Sequence, residues 1–366
     1  MCPVVKELQK RKELETLTAV TGQHREMLDQ VLQVFAVKPD YDLSVMREGQ
    51  TLSGLTSHIL EGMQGVLKEA EPDVVLVHGD TTTAFAAALA AYYQKIPVGH
   101  VEAGLRTHDI YAPYPEEFNR EAVSLLAAYH FAPTKRAKEH LLAEGKKPGT
   151  IYVTGNTVID ALKTTVRETY THPELRWALG EGGESGKGKN KNKSESRSKR
   201  KLVLLTAHRR ENQGEPMRRM FQAVRRAARE NGEVRILYPV HPNPAVRREA
   251  EKAFAGCQNI RLIEPLDVVD FHNFMARSYM ILTDSGGIQE EAPALGKPVL
   301  VMRDTTERPE GIEAGTLKLT GTSEEGIYRE FTRVLRDRGA YEKMSRAVNP
   351  YGDGRASERI AKILAE

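Results

Sequence analysis

Acidic residues close several apolar runs of this chain. DVVLVHGD (73–80) ends on Asp80, IPVGHVEAG (96–104) carries Glu102, and YPEEFNRE (114–121) adds Glu116 and Glu117. A carboxylate left unpaired in an apolar interior costs several kcal/mol, so acids at such places are solvated or have chemistry to do. Paired neighbouring strands lie about 4.8 Å apart, close enough for Asp80 and Glu102 to serve one substrate. Such a pair suits general acid and base work. The plainer reading of Asp80 is a cap on the helix that follows it. A metal site is a third reading, but neither D-x-D nor H-x-x-x-H spacing supports it. His100, two residues before Glu102, points to the same face but deeper, and is expected to be structural.

A second set has the opposite charge. TAHRREN (206–212) places His208, Arg209 and Arg210 at the end of an apolar run. Arginine there suits phosphate, which it binds bidentately. DSGGIQEEAPALGKP (284–298) sets Ser285, Gly286 and Gly287 ahead of a helix beginning near Ile288. Small residues let backbone N–H groups approach a phosphate, and Glu291, one turn later, could accept from ribose hydroxyls. No G-x-x-x-x-G-K-[ST] loop occurs, and no G-x-G-x-x-G follows a strand, which argues against an ATPase and a tightly bound NAD.

The elements that must hold these residues alternate. Strand 73–80, helix 81–95, strand 96–104, helix 119–130 and strand 130–134 give a βαβ rhythm with parallel strands. The rhythm stops near 180–200 in a Gly, Ser, Lys and Asn stretch, read as a disordered linker or surface insertion. It resumes in KLVLLTAHRREN (201–212), EVRILYPVHPNP (233–244), YMILTDSGG (279–287) and KPVLVMRDT (297–305). Ligands of open parallel α/β sheets bind beyond the carboxyl ends of the strands, and both halves load those ends with polar residues. The expectation is an α/β protein with two Rossmann-like domains facing a cleft. Its divisions are 1–165, a connection over 166–200, 201–345, and a C-terminal helical segment 346–366.

Composition agrees with a globular enzyme: 366 residues, 40% apolar and 28% charged. The net charge of +3 is misleading, because residues 187–201 carry eight Lys or Arg against one Glu, leaving −4 (3 minus 7) elsewhere. No aromatic residues interleave those charges, so nucleic-acid binding is not expected. Two cysteines exclude a four-thiolate zinc site. Without a run of about 18 apolar residues or a secretory leader, a cytoplasmic protein without membrane partners is expected.

The segments HGDTTT, PVGHVEAGLRT, YPEEFNR, TGNTVIDAL, TAHRREN, LTDSGGIQEEAP and VLVMRDTTERPEGIEAGT together resemble the non-hydrolysing UDP-N-acetylglucosamine 2-epimerases of bacteria. The resemblance implies a glycosyltransferase-B-like architecture and interconversion of UDP-N-acetylglucosamine and UDP-N-acetylmannosamine, with no cofactor and no metal. It implies elimination of UDP to an enzyme-bound 2-acetamidoglucal, then re-addition. It implies catalytic roles for Asp80, Glu102, Glu116 and His208, without assigning acid and base. Ser285, Gly286, Gly287 and Glu291 match its UDP-binding stretch, Phe271 an aromatic near uracil, and Arg308 a substrate-binding arginine. It further implies a homodimer and N-acetylmannosamine supply to cell-surface polysaccharide such as teichoic acid.

Two departures from the family pattern carry expectations. Family chains open with a strand and a turn resembling GTRPEAIKMAP, where this sequence has MCPVV. The first strand of the N-terminal domain is therefore expected to be missing, with stability and activity impaired in the sequence as it stands. Gln23, Arg209 and His241 match an activator pocket for a second UDP-N-acetylglucosamine. Glu26 and Gly49 stand where relatives commonly carry Gln and Arg, so weakened activation is expected. Other functions weighed on the sequence are a hydrolysing epimerase, a UDP-dependent glycosyltransferase and an inactive nucleotide-sugar binder.

Overall fold

The computed structural model describes residues 1–22, 25–47, 49–180 and 200–366. Gln23 and most of the 180–200 insertion lie outside the described residues, as do the side chains of Glu26 and Arg210. The chain divides into two compact units, Met1–Thr164 with Tyr351–Glu366, and Thr165–Pro350. The sequence division differs at two places. Residues 173–179, expected within a connection, form helix Pro173–Leu179 of the second unit. The C-terminal helix Ala356–Ala365 belongs to the first unit, where Asp160 accepts the amides of Ala356 and Ser357 at 3.2 and 2.8 Å. Asp160 thereby satisfies N–H groups that a helix start leaves without intrahelical partners.

The first unit holds β1 (Ala19–Val20), β2 (Tyr41–Asp42), β3 (Val75–His78), β4 (Val98–Val101), β5 (Tyr129–Ala132) and β6 (Ile151–Val153). All pairings are parallel, in a two-stranded β1–β2 sheet and a four-stranded sheet ordered β3-β4-β5-β6. Helix Thr82–Tyr93 returns the chain from β3 to β4. Its buried face is almost wholly alanine (84, 86, 87, 88, 90 and 91), which lets it lie close to helix Leu52–Ala70. Thr81 caps it by accepting the Ala84 amide. That cap leaves Asp80 no helix-capping task, so the plain reading of Asp80 falls away.

The second unit holds β7 (Lys201–Thr206), β8 (Val234–Pro239), β9 (Ile260–Ile263), β10 (Met280–Thr283), β11 (Val299–Val301) and β12 (Leu317–Leu319). They form one parallel sheet ordered β12-β11-β10-β7-β8-β9. Read from β9, this is the order of a doubly wound Rossmann sheet, whose direction of winding reverses between β7 and β10. Leu202 to Leu205 and Met280 to Leu282 are fully or almost fully buried. Helices on both faces make these runs apolar throughout rather than alternating. Each such side chain contributes about 1.5–3 kcal/mol on burial.

Candidate active site

In the first unit the carboxylates gather at the carboxyl ends of adjoining strands. β3 pairs with β4 in the register His78 with Val101, and the Gly79 amide donates to Val101 O at 2.9 Å. Asp80 and Glu102 therefore stand side by side just past the ladder. Glu102 has φ +66°, in the left-handed region, while the next residue, Ala103, rejoins the sheet through Phe131 O. A non-glycine residue held there costs on the order of 1–2 kcal/mol, strain typical of functional positions. The turn brings the Glu102 carboxylate to 3.5 Å from both His78 Nε2 and Asn156 Nδ2. His78 Nε2 also lies 3.2 Å from Thr157 Oγ1. Desolvation holds the His78 imidazole well below its usual range.

Asp80 is gripped from the helix that follows the acidic loop. Both Nε and Nη2 of Arg120 reach its Oδ2, at 2.9 and 2.7 Å, and Asn119 Nδ2 donates to its carbonyl at 2.8 Å. Helix Glu116–Leu126 starts with both glutamates in its first turn, as the sequence indicates. Their fates differ. Glu116 is half-buried, whereas Glu117 has no exposed surface, accepts the amides of Thr107 and His108, and pairs with Arg120 Nη1 at 2.7 Å. His100 is fully buried, with Nε2 2.9 Å from Gly79 O; burial pushes it down to about 3. It is the structural residue the sequence indicated.

In the second unit the cationic and glycine-rich segments meet at the switch point. TAHRREN leaves β7 and TDSGG leaves β10, and these strands are direct neighbours. Fully buried Asp284 fixes the first turn by accepting the amides of His208 and Arg209 at 3.0 and 2.9 Å, and Asn212 Nδ2 at 3.1 Å. The His208 ring stacks on His241 with centroids 5.4 Å apart. Burial lowers the His208 imidazole, with Asp284 opposing that shift and the charges of His241 and Arg209 adding to it. Arg209 and His241, matched on sequence to an activator pocket, thus touch or adjoin the residues matched to the substrate.

Beside the glycines sits a charge cluster. Glu307 lies 3.3 Å from Arg209 Nη2, 2.6 Å from Arg303 Nη1 and 3.5 Å from Arg308 Nη1. Burial would raise this carboxylate, but Arg308 and Arg303 hold it down at about 2. Arg308 Nε also reaches buried Glu290 at 2.5 Å. A Cβ on Gly286 would come within 2.7 Å of Glu307 Oε1 and 3.4 Å of Arg209 Nη2, so the glycine keeps backbone and cluster in contact. Helix Ile288–Ala294 begins where expected, and its Glu291 lies 3.6 Å from His272 Nε2. His272 follows Phe271 on helix Val268–Arg277, and its Nδ1 is 2.7 Å from Thr165 Oγ1.

Sequence reasoning passed over His78, Asn156, Arg120, His272, Asp284 and Glu307, and did not separate the buried Glu117 from Glu116. A signal was present for one pair: glutamate and arginine three apart on a helix face each other, as Glu117 and Arg120 do.

The family model for UDP-N-acetylglucosamine 2-epimerase matches residues 6–365. The chain belongs to the UDP-N-acetylglucosamine 2-epimerase family. It is 56% identical over 364 residues to the UDP-N-acetylglucosamine 2-epimerase of Bacillus subtilis, covering 100% of this chain and 91% of the relative. Among solved structures, the Staphylococcus aureus MnaA–UDP co-structure superposes with a TM-score of 0.87 at 49% identity, covering 100% of this chain and 92% of that one. The Neisseria meningitidis UDP-GlcNAc 2-epimerase bound to UDP-GlcNAc does so with a TM-score of 0.87 at 46% identity, covering 100% and 95%. The epimerase family and its two-domain glycosyltransferase-B-like architecture agree with the strand order found in the second unit.

Proposed function

We propose that this epimerase interconverts UDP-N-acetylglucosamine and UDP-N-acetylmannosamine without releasing free sugar. Inverting C2 requires a proton to leave one face of the ring and another to arrive on the opposite face. In the forward step a base takes the C2 proton, the electron pair forms the C1–C2 double bond, and the C1–O bond to the diphosphate breaks. The products held are 2-acetamidoglucal and UDP. In the return step a proton is delivered to C2 from the other face and the UDP oxygen adds back to C1. The observation that carries this reading is the pair Asp80 and Glu102 at adjoining strand ends, with Glu116 on the next helix.

The second unit supplies the complementary chemistry. Arg209 and Arg308 flank Gly286, and cations there suit a diphosphate whose charge grows as C1–O breaks. Glu291 suits the ribose hydroxyls, and Phe271, the neighbour of His272, suits the uracil. His208, whose imidazole burial lowers from its usual range, stands by Asp284 and His241 and suits proton transfer near the leaving diphosphate. Arg209 and His241 are also the residues that a second UDP-N-acetylglucosamine, acting as activator, would contact.

A homodimer is part of the reading. Tyr92, Tyr93 and Leu125, on helices Thr82–Tyr93 and Glu116–Leu126, are 57%, 65% and 75% exposed, an apolar surface that suits a second copy. The product would supply N-acetylmannosamine to cell-surface polysaccharide such as teichoic acid. Product analysis by NMR tests the reaction: incubation with UDP-N-acetylglucosamine should yield UDP-N-acetylmannosamine approaching an equilibrium mixture. Stoichiometric free N-acetylmannosamine and UDP would instead establish a hydrolysing enzyme.

A further inference from the structure

Arg120 has an arrangement that packing does not demand. Its side chain is 11% exposed and its guanidinium is shared by two carboxylates, with Nη1 on Glu117 Oε2 and both Nε and Nη2 on Asp80 Oδ2. The Glu117 side chain has no exposed surface, and its other oxygen is filled by the amides of Thr107 and His108. Glu117 alone would neutralise Arg120. The second arm instead commits a nearly buried cation to Asp80, which is 28% exposed.

We propose that Arg120, seated on Glu117, is the positioning residue that fixes the Asp80 carboxylate for proton transfer at C2. The proposal rests on the reading of Asp80 as a proton-handling group of the epimerase. Nε and Nη2 of a planar guanidinium converge on the one oxygen Oδ2 and fix its direction as well as its location, more sharply than the point charge of a lysine ammonium would. Both contacts fall on Oδ2, which leaves Oδ1 as the oxygen assigned to the proton at C2 in this proposal. Asn119, the residue before Arg120, holds the Asp80 carbonyl, so one turn of helix grips both backbone and side chain.

The consecutive glutamates of YPEEFNR therefore divide their work. Glu116 is available for chemistry. Glu117 is saturated with donors and is a buried anchor for Arg120 and for the loop that starts at Thr107. Because the anchor also ties that loop, Glu117 connects the left-handed turn at Glu102 to the grip on Asp80 through the short segment 103–107.

The test compares Arg120→Met, Arg120→Lys, Glu117→Gln and Asp80→Asn by kcat, KM and C2 deuterium exchange, with UDP affinity and thermal unfolding measured in parallel. Misplacing a proton-transfer group by about 1 Å costs about 100-fold in rate. Arg120→Met is expected to lower kcat about 100-fold with KM and UDP affinity changed less than about threefold. Arg120→Lys should recover part of that loss, and Arg120→Met combined with Asp80→Asn should be no slower than Asp80→Asn alone. Asp80→Asn without effect on exchange would defeat the reading of Asp80 itself. Asp80→Asn inactive while Arg120→Met keeps kcat within about threefold would overturn the positioning role only. If Arg120→Met fails to fold, Arg120→Lys decides: wild-type kcat in that variant overturns the proposal, and a lowered kcat with unchanged KM upholds it.

Discussion

The His208 amide lies 3.0 Å from Asp284 Oδ2, so the loop after β7 is fastened to the residue after β10. The Arg209 amide and the Asn212 side chain end on the same oxygen. Replacing Asp284 by alanine removes the acceptor these three donors share, leaving Asn212 Nδ2 only its longer contact to Met302 O at 3.5 Å. Hydrogen bonds to a charged group contribute about 1.5–3 kcal/mol each. Asp284→Ala should therefore destabilise the protein by at least about 3 kcal/mol in urea unfolding and lower kcat through His208. Asp284→Asn, which keeps one acceptor, should fall between. Unchanged unfolding and kcat in Asp284→Ala would remove Asp284 from the account.

Gly286 lies against Glu307 and Arg209 so closely that one methyl group must move something. Glu307 is held by Arg303, Arg308 and Arg209, so it cannot swing aside cheaply. Gly286→Ala is expected to weaken UDP binding about tenfold, equivalent to one charge-assisted contact, and to lower the melting temperature as the Glu307 cluster shifts. Calorimetric titration with UDP checks this. Wild-type affinity would show that the cluster does not meet the nucleotide.

His272 Nε2 lies 3.6 Å from Glu291, and its Nδ1 lies 2.7 Å from Thr165 Oγ1. His272→Leu removes the group that orients a proposed ribose acceptor. The expected result is a rise in KM of about tenfold with kcat little changed, because ribose contacts persist through the reaction. A fall in kcat with KM constant would place His272 in the chemistry instead.

His100 couples the carboxylate strands to pH. Its folded-state value of about 3 lies below the ordinary 6.5, so the unfolded chain binds a proton that the folded chain excludes. The associated stability is present above about pH 6.5 and is lost as pH falls towards 3. Between pH 6.5 and 5 the loss amounts to about 2 kcal/mol. His100→Gln, which keeps a donor for Gly79 O, should narrow the gap in urea midpoints between these two pH values. An equal gap in variant and wild type would assign the pH dependence to other groups.

Much of this organisation was legible because it depends on near neighbours in sequence. Apolar runs ending in HGD, HVEAG, TAHRREN and TDSGG mark strands with loaded carboxyl ends, and a parallel α/β sheet brings those ends together. Threonine at the start of the helix was legible, but Asp80 before it is also a capping type, and only geometry separates the two. Pairings distant in sequence were out of reach. Asp284 belongs to the DSGG motif, yet its partners are 72 to 76 residues away. Glu307 lies in the TTERPEG stretch beside Arg303 and Arg308, and the arginine out of reach was Arg209, 98 residues earlier. The left-handed turn at Glu102 was hidden as well, because glutamate is an uncommon residue there. The placement of residues 351–366 with the first unit depends on Asp160, a contact spanning almost 200 residues of chain.

The central claim is that a C2 proton is removed and replaced during turnover. Incubation with UDP-N-acetylglucosamine in deuterated water, followed by NMR at C2, measures this directly. Deuterium should appear at C2 of both UDP-N-acetylglucosamine and UDP-N-acetylmannosamine, with incorporation abolished in Asp80→Asn or Glu102→Gln. Protein that binds UDP yet leaves C2 fully protonated in both sugars would contradict it.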